Sequence, residues 1–145
     1  MPTYYIVSGG FDPIHEGHIS LIKDALSKSD GVLVIVNSDD WLIRKKGKVF
    51  QNFYTRKTIL ENIKGVIYVT GCNDDDNSVN DGIRLLREKY PDDELVFANG
   101  GDRNKGNIRE DAACEKYNVK KAFSIGGSDK MNSSSWILEN YKNTN

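Results

Sequence analysis

Five short apolar segments recur along the chain and alternate with segments of helical periodicity. They predict β-strands at 4–8, 32–36, 66–69, 94–98 and 119–125. The second segment, Val32-Leu33-Val34-Ile35-Val36, is apolar without interruption. Such a run is typical of a strand that is buried on both faces of a parallel sheet.

The segments between the strands predict helices at 19–28, 41–43, 53–63, 79–90, 108–117 and 133–141. In the first of these, the apolar side chains fall on one broad face of the helix. Regular alternation of strand and helix predicts a parallel sheet covered by helices on both faces and joined by right-handed crossovers. The sequence has no internal repeat and no low-complexity linker, so we expect a single domain over 1–145.

Glycine and polar residues follow the predicted strands at their carboxyl ends. They are Gly9 to His18 after the first strand, Asn37-Ser38-Asp39 after the second, Gly100-Gly101-Asp102 after the fourth and Gly126-Gly127 after the fifth. Open parallel sheets bind their ligands outside the carboxyl ends of the strands. We therefore expect the functional residues to meet at this edge of the sheet.

Composition and charge narrow the class of protein. The 145 residues are 38% hydrophobic and 28% charged, as in soluble globular proteins, and the net charge of −1 gives no general reason to expect a nucleic-acid partner. The first residues resemble no signal peptide, and no apolar run approaches the length of a membrane span. We expect a cytoplasmic protein without a membrane partner, in which Cys72 and Cys114 are free thiols.

The only two histidines of the chain, His15 and His18, lie together in the loop after the first strand. Glycines there let the backbone approach a ligand, and a helix start offers N–H groups and a positive dipole end to phosphate. A nearby phosphate favours the protonated imidazole, so both rings are expected to stabilise its negative charge. The alternatives are loop or capping histidines, and a metal-binding pair that lacks a third ligand at suitable spacing. Neither a dinucleotide fingerprint nor a P-loop is present.

Other polar residues have both a structural and a functional interpretation. Asp12 is either an Asx-turn residue or a partner of a substrate hydroxyl or a basic neighbour. The run Arg44-Lys45-Lys46-Gly47-Lys48 is either a solvated surface segment or a loop, mobile without ligand, that closes over a triphosphate. Arg56 would be held in place by the next helix. Ser133-Ser134-Ser135 would cap the last helix and could also bind an anion.

The stretch Gly10-Phe11-Asp12-x-x-His15-x-Gly17-His18 resembles the H-x-G-H signature of the cytidylyltransferase-like nucleotidyltransferases, and the resemblance runs along most of the chain. Lys45 falls where these enzymes carry a lysine that reaches the triphosphate, and Lys46 is the neighbouring candidate. Arg56-Lys57 matches the R-K or R-x pair of the following helix. Met131-Asn132-Ser133-Ser134-Ser135 resembles the second signature, I-S-T-T or C-S-T-T.

Two branches of this family resemble the chain. Val36-Asn37-Ser38-Asp39 and Gly100-Gly101-Asp102 are most similar to the heptose-phosphate adenylyltransferase domain. The ungapped spacing from Gly10 to Arg56 is equally similar to glycerol-3-phosphate cytidylyltransferase. That second branch has an arginine five residues before its signature serine, where this chain has Ser128. The resemblance leaves both CTP and ATP open as the nucleotide.

The resemblance implies a Rossmann-like, doubly wound α/β fold with five parallel strands ordered 3-2-1-4-5. It implies transfer of a nucleoside monophosphate from CTP or ATP to a glycerol-3-phosphate or heptose-phosphate type of acceptor, with release of pyrophosphate. Mg²⁺ would arrive with the nucleotide, and the protein would be a homodimer. The alternative from another class is a non-catalytic nucleotide-binding or regulatory module, which binds nucleotide without releasing pyrophosphate.

The resemblance also assigns roles to residues. The catalytic candidates are His15, His18, Lys45 and Arg56. The nucleotide-binding candidates are Gly9, Gly10, Phe11, Asp12, Gly17, Lys46, Asp102, Ser133, Ser134 and Ser135. No resident metal site is expected. Gly10, His18, Asp102 and Ser134 are predicted to converge at one end of the sheet.

Overall fold

The computed structural model of the chain describes residues 1–100 and 109–125. The elements, in chain order, are β1 (Thr3–Gly9), α1 (Glu16–Ser27), β2 (Gly31–Val36), α2 (Asp39–Lys46), α3 (Phe53–Glu61), β3 (Val66–Thr70), α4 (Asn80–Lys89), β4 (Glu94–Gly100), α5 (Asp111–Lys116) and β5 (Lys120–Ile125). The strands form one five-stranded sheet in the order β3-β2-β1-β4-β5, with all four pairings parallel. The predicted α/β fold and strand order are confirmed. One domain over 1–145 stays a prediction.

The interior strand β2 lies between the two hydrophobic clusters of the described residues. Leu33 and Ile35 belong to the cluster that contains residues of α4 and α5. Val32, Val34 and Val36 belong to the cluster that contains residues of α1 and α3. Because successive strand residues point to opposite faces, an unbroken apolar run is what a sheet covered on both faces requires.

Helix α2 differs from its prediction in a way that matters for the site. Ser38 caps its start by accepting a hydrogen bond from the N–H of Trp41, and Gly47, at φ 85°, ends it in the left-handed conformation. Arg44, Lys45 and Lys46 therefore form the last turn of a helix, where cations favourably face the negative end of the dipole. The prediction that these three residues form a loop is wrong.

The two cysteines have the environment expected of free thiols. Cys114 is buried and Cys72 is half-buried, and neither forms a disulfide. Burial is the main cause that raises the pKa of Cys72 to about 12 and that of Cys114 to about 11. In residues 1–100 and 109–125, no helix is long and apolar enough to span a bilayer.

Candidate active site

The loops that follow β1 and β2 meet at the carboxyl edge of the sheet. Gly9 pairs with Val36 at the ends of the two strands, and the N–H of Asn37 donates to the Gly9 carbonyl over 2.9 Å. The histidine loop that begins at Gly10 and the start of α2 are therefore neighbours. This edge is where ligands bind in open parallel sheets.

The two histidines form a capping box at the start of α1, which begins at Glu16 rather than at the predicted residue 19. Nδ1 of His15 accepts from the N–H of Gly17 over 3.0 Å. Nδ1 of His18 accepts from the N–H of His15 over 3.1 Å. The N–H of Gly17 is thus used by the protein, although the sequence predicted a helix start with free N–H groups.

These hydrogen bonds define which ring nitrogen carries the proton. A nitrogen that accepts a hydrogen bond carries no hydrogen, so each ring has its proton on Nε2. The two rings stack with centroids 3.9 Å apart, and the Phe11 ring packs edge-on against His18 at 4.8 Å. Phe11 is buried and its φ is 53°. Both imidazoles are therefore held in fixed orientations and offer Nε2–H as a donor.

The charge state of His18 is the opposite of the one the sequence suggested. Burial is the largest cause that lowers the pKa of His18 to about 3, and electrostatic interactions with His15 and with the Lys46 ammonium lower it further. At neutral pH the His18 ring is uncharged. The expectation of a protonated imidazole considered only the phosphate and not the cost of burying a charge.

Gly10 allows a close approach, but in this structure the neighbour is protein. A Cβ atom added at Gly10 would lie 2.9 Å from Cδ2 of Leu42 and 3.3 Å from Cζ3 of Trp41, both in α2. At Gly9 an added Cβ would make only ordinary contact with the Phe11 ring, at 3.5 Å. The glycine at position 10 thus lets α2 pack directly on the histidine loop.

The Asp12 carboxylate joins the histidine loop to the segment before α3. It is fully buried, and its two oxygens accept from the N–H groups of Phe50 at 2.7 Å and Gln51 at 2.6 Å. The predicted basic neighbour or substrate hydroxyl is not needed to explain this carboxylate, because two backbone donors satisfy it.

Arg56 lies beneath the same loops. Its side chain is 0% exposed and makes an ion pair with Asp39 over 2.6 Å. The guanidinium also donates to the carbonyls of Gly10 at 2.8 Å, Asn37 at 2.7 Å and Gln51 at 2.9 Å. Four hydrogen bonds to the protein give Arg56 a role in joining the two loops.

The three cations in the last turn of α2 have different surroundings. Arg44 donates to the Asp74 carbonyl at 2.7 Å and to the Asn77 side chain. The ammonium of Lys45 lies 4.7 Å from the centroid of the Trp41 ring. Lys46 is half-buried, and it is the lysine whose charge acts on His18.

Two contributors to this edge were missed at the level of the sequence. Asp74, which follows β3, is buried and binds Asn37 and Ser38. Asp39, which the sequence places only among the polar residues after the second strand, pairs with Arg56. Neither has a sequence signal that separates it from the acidic residues beside it. The predicted residues Asp102, Ser133, Ser134 and Ser135 lie outside the described residues.

Comparison with known proteins agrees with this architecture. Residues 6–125 match the Cytidylyltransferase-like family. Bifunctional protein HldE of Haemophilus influenzae strain PittEE is 32% identical over 131 residues, which cover 79% of this chain and 26% of that protein. The protein of the same name from Pasteurella multocida strain Pm70 is 30% identical over 99 residues, which cover 67% of this chain and 19% of that protein. The chain thus spans about a quarter or less of these curated relatives.

Solved structures share the fold. The lipopolysaccharide core biosynthesis protein from Thermoplasma volcanium GSS1 has a TM-score of 0.65 at 23% identity, covering 89% of this chain and all of that one. A bifunctional NMN adenylyltransferase/ADP ribose pyrophosphatase from Francisella tularensis, complexed with AMP and a Mn ion, has a TM-score of 0.63 at 15% identity, covering 98% of this chain and 42% of that one. The match over residues 6–125, on a sheet with the H-x-G-H histidines at its carboxyl edge, shows that the chain belongs to the cytidylyltransferase-like family.

Proposed function

We propose that this protein transfers a nucleoside monophosphate from CTP or ATP to a small phosphorylated alcohol or sugar phosphate and releases pyrophosphate. The observation that carries the proposal is the pair of oriented imidazoles at the carboxyl edge, each with its proton on Nε2, beside the basic last turn of α2. Oriented donors and cations are what a reaction between phosphates needs, because its barrier is lowered mainly by positioning and by stabilising negative charge.

In the proposed reaction, a phosphate oxygen of the acceptor attacks the α-phosphorus of the nucleotide. A new P–O bond forms there, and the bond between the α-phosphorus and the oxygen that bridges to the β-phosphorus breaks. Pyrophosphate leaves with that electron pair. Because the second pKa of a phosphate monoester is about 6, the acceptor is largely ionised at neutral pH and needs no strong general base.

The histidines contribute hydrogen bonds through Nε2–H, and the uncharged His18 contributes no positive charge. His15 and His18 donate Nε2–H to phosphate oxygens, and each hydrogen bond becomes stronger as the oxygen gains charge in the transition state. Lys45 and Lys46 are the candidates for the positive charge on the nucleotide's phosphates. The half-buried position of Lys46 and its effect on His18 favour Lys46.

The remaining predicted site residues receive supporting roles. We propose that Asp12 and Arg56 shape the loops through the backbone contacts described above, without contacting phosphate themselves. Gly10 provides the close packing of α2. The serines at 133–135 and Asp102 stay candidates for the nucleotide on the resemblance alone.

A divalent ion belongs to the proposed substrate. Mg²⁺ would enter bound to the triphosphate, with most of its coordination supplied by phosphate oxygens and water. Among the described residues there is no group of three or more His, Cys, Asp or Glu side chains placed to hold a metal. The Francisella structure contains AMP together with a Mn ion. This supports testing both ions with the nucleotide.

The test is a pyrophosphate-release screen of four nucleoside triphosphates against polyol phosphates and sugar phosphates, with Mg²⁺ or Mn²⁺. The proposal predicts release that requires both a nucleotide and a phosphorylated acceptor. ATP with sugar phosphates is the first combination to test, because one solved structure with this fold is an NMN adenylyltransferase and another is a lipopolysaccharide core biosynthesis protein. Nucleotide binding without pyrophosphate release under every combination would favour a non-catalytic nucleotide-binding module.

We also propose that the protein is a homodimer, as the resemblance implies, and that it is cytoplasmic, as expected from its sequence. Sedimentation of the purified chain at several concentrations tests the dimer. A mass of twice 16.3 kDa is expected, and a monomer at all concentrations would refute it.

A further inference from the structure

The loop that follows β3 fixes the start of helix α2. Asp74 in this loop is 2% exposed, and its carboxylate accepts three hydrogen bonds. One comes from the Asn37 side-chain amide at 3.1 Å, and the other two come from the N–H of Ser38 at 2.8 Å and its hydroxyl at 2.6 Å. Ser38 is the N-cap of α2, so one buried carboxylate determines where this helix begins.

The same loop also contacts the end of α2. Arg44, in the last turn, donates to the main-chain carbonyl of Asp74 at 2.7 Å and to the Asn77 side chain at 3.2 Å. The helix is only eight residues long. Contacts at both ends therefore fix its rotation and its position along its axis.

The rotation of α2 decides which side chains face the histidine loop. Leu42 is fully buried and packs against Gly10. Lys46 lies four residues later, on the same face of the helix as Leu42. Lys45 lies on the neighbouring face with Trp41, whose ring it contacts. In agreement with this arrangement, the charge of Lys46 helps to lower the pKa of His18.

We propose that Asp74 is a positioning residue for nucleotide binding, which acts by holding α2 so that Lys46 lies beside the histidine loop. The inference rests on the proposed function and names a residue outside the family's signature motifs. The Asp74 carboxylate is the common acceptor for these three donors, and an alanine at this position would remove all three hydrogen bonds. An asparagine would be a weaker test, because its oxygen could accept from the two N–H groups while its N–H₂ group donates to the Ser38 hydroxyl, which can turn to accept.

Asp74→Ala is the test, with Asp75→Ala as the matched control because Asp75 is the exposed neighbour in the same loop. Asp74→Ala is expected to raise KM for the nucleoside triphosphate about tenfold, while kcat changes less than threefold. Asp75→Ala is expected to stay within about twofold of the wild type in both constants. If Asp74 acts through Lys46, the effect of Asp74→Ala should nearly vanish in a Lys46→Ala background.

A nuclear magnetic resonance titration of the two histidines supplies a measurement that does not depend on turnover. Asp74→Ala should raise the pKa of His18, as Lys46→Ala should, because in both variants the ammonium no longer lies beside the ring. If Asp74→Ala does not fold, Ser38→Ala replaces it; this variant removes the hydroxyl donor to Asp74 together with the acceptor for the N–H of Trp41.

Three results distinguish a wrong inference about Asp74 from a wrong proposed function. An unchanged KM in folded Asp74→Ala would overturn the inference. An effect of equal size with and without Lys46 would also overturn it, since a general loss of stability does not depend on that lysine. Absence of pyrophosphate release in the wild type would refute the proposed function, whereas the titration would still decide whether Asp74 positions Lys46.

Discussion

Replacing Arg56 separates a structural role from direct contact with phosphate. In Arg56→Ala, the carbonyls of Gly10, Asn37 and Gln51 lose their charged donor, and Asp39 loses its partner. Removing one member of a buried ion pair costs about 3–5 kcal/mol of folding free energy. Asp39 is 41% exposed and regains water, so the lower end of that range, about 3 kcal/mol, is expected.

The expected loss of folding free energy is large enough to measure and small enough to keep the protein folded. Domains of this size have free energies of unfolding of about 5–15 kcal/mol, so the variant retains a native state at 25 °C. A loss of about 3 kcal/mol corresponds to a decrease in melting temperature of about 6–12 °C. Thermal and urea unfolding followed by circular dichroism measure both quantities.

The control is Arg84→Ala. Arg84 pairs with Asp81 and Glu88 on the surface of α4, with its side chain 39% exposed, so its removal should leave the unfolding midpoint close to the wild type. If Arg56→Ala unfolds at the same midpoint as Arg84→Ala while kcat collapses, then Arg56 contacts phosphate and the structural assignment is wrong.

Three further predictions concern the histidines and the lysines. Lys46→Ala should raise KM for the nucleotide about tenfold, whereas Lys45→Ala should change it less than threefold. Equally mild effects of both substitutions would show that neither lysine makes a specific contact with the phosphates. His18→Ala should lower kcat about a hundredfold while nucleotide still binds, and turnover within a few-fold of wild type would exclude the assigned donor. The third prediction is that the free energy of unfolding decreases as the pH falls below about 6.5, by up to about 1.4 kcal/mol per pH unit. The reason is that His18 becomes protonated in the unfolded chain, whereas in the folded protein its pKa of about 3 keeps it unprotonated. In His18→Gln this slope between pH 6.5 and 5 should become shallower, and an unchanged slope in urea unfolding would contradict the assigned charge state.

The sheet and its functional edge were predictable because their signals are local. The unbroken apolar run of β2 requires cover on both faces, and strand–helix alternation then fixes parallel pairing. The glycine–histidine loop marked the edge of the sheet where the site lies. The end of α2 was also predictable from the sequence, because a glycine such as Gly47 after a basic turn commonly ends a helix.

The roles of buried charged groups were not predictable in the same way. Asp74 stands beside Asp75 and Asp76, and only the folded chain distinguishes the buried carboxylate from the two exposed ones. Arg56 has the residue type of a phosphate ligand, but its partners lie up to 46 residues away in the sequence. The histidine capping box lacks the usual Ser/Thr and Glu/Gln, although its spacing of three residues is the usual one.

Transfer of label from the nucleotide distinguishes nucleotidyl transfer from phosphoryl transfer and from hydrolysis. The protein is incubated with the acceptor found in the screen and with nucleotide that carries ³²P either at the α-phosphate or at the γ-phosphate. If the protein is a nucleotidyltransferase, the α-label appears covalently linked to the acceptor and the γ-label appears in pyrophosphate. Appearance of the γ-label on the acceptor or in free phosphate, with no α-label transferred, would contradict nucleotidyl transfer.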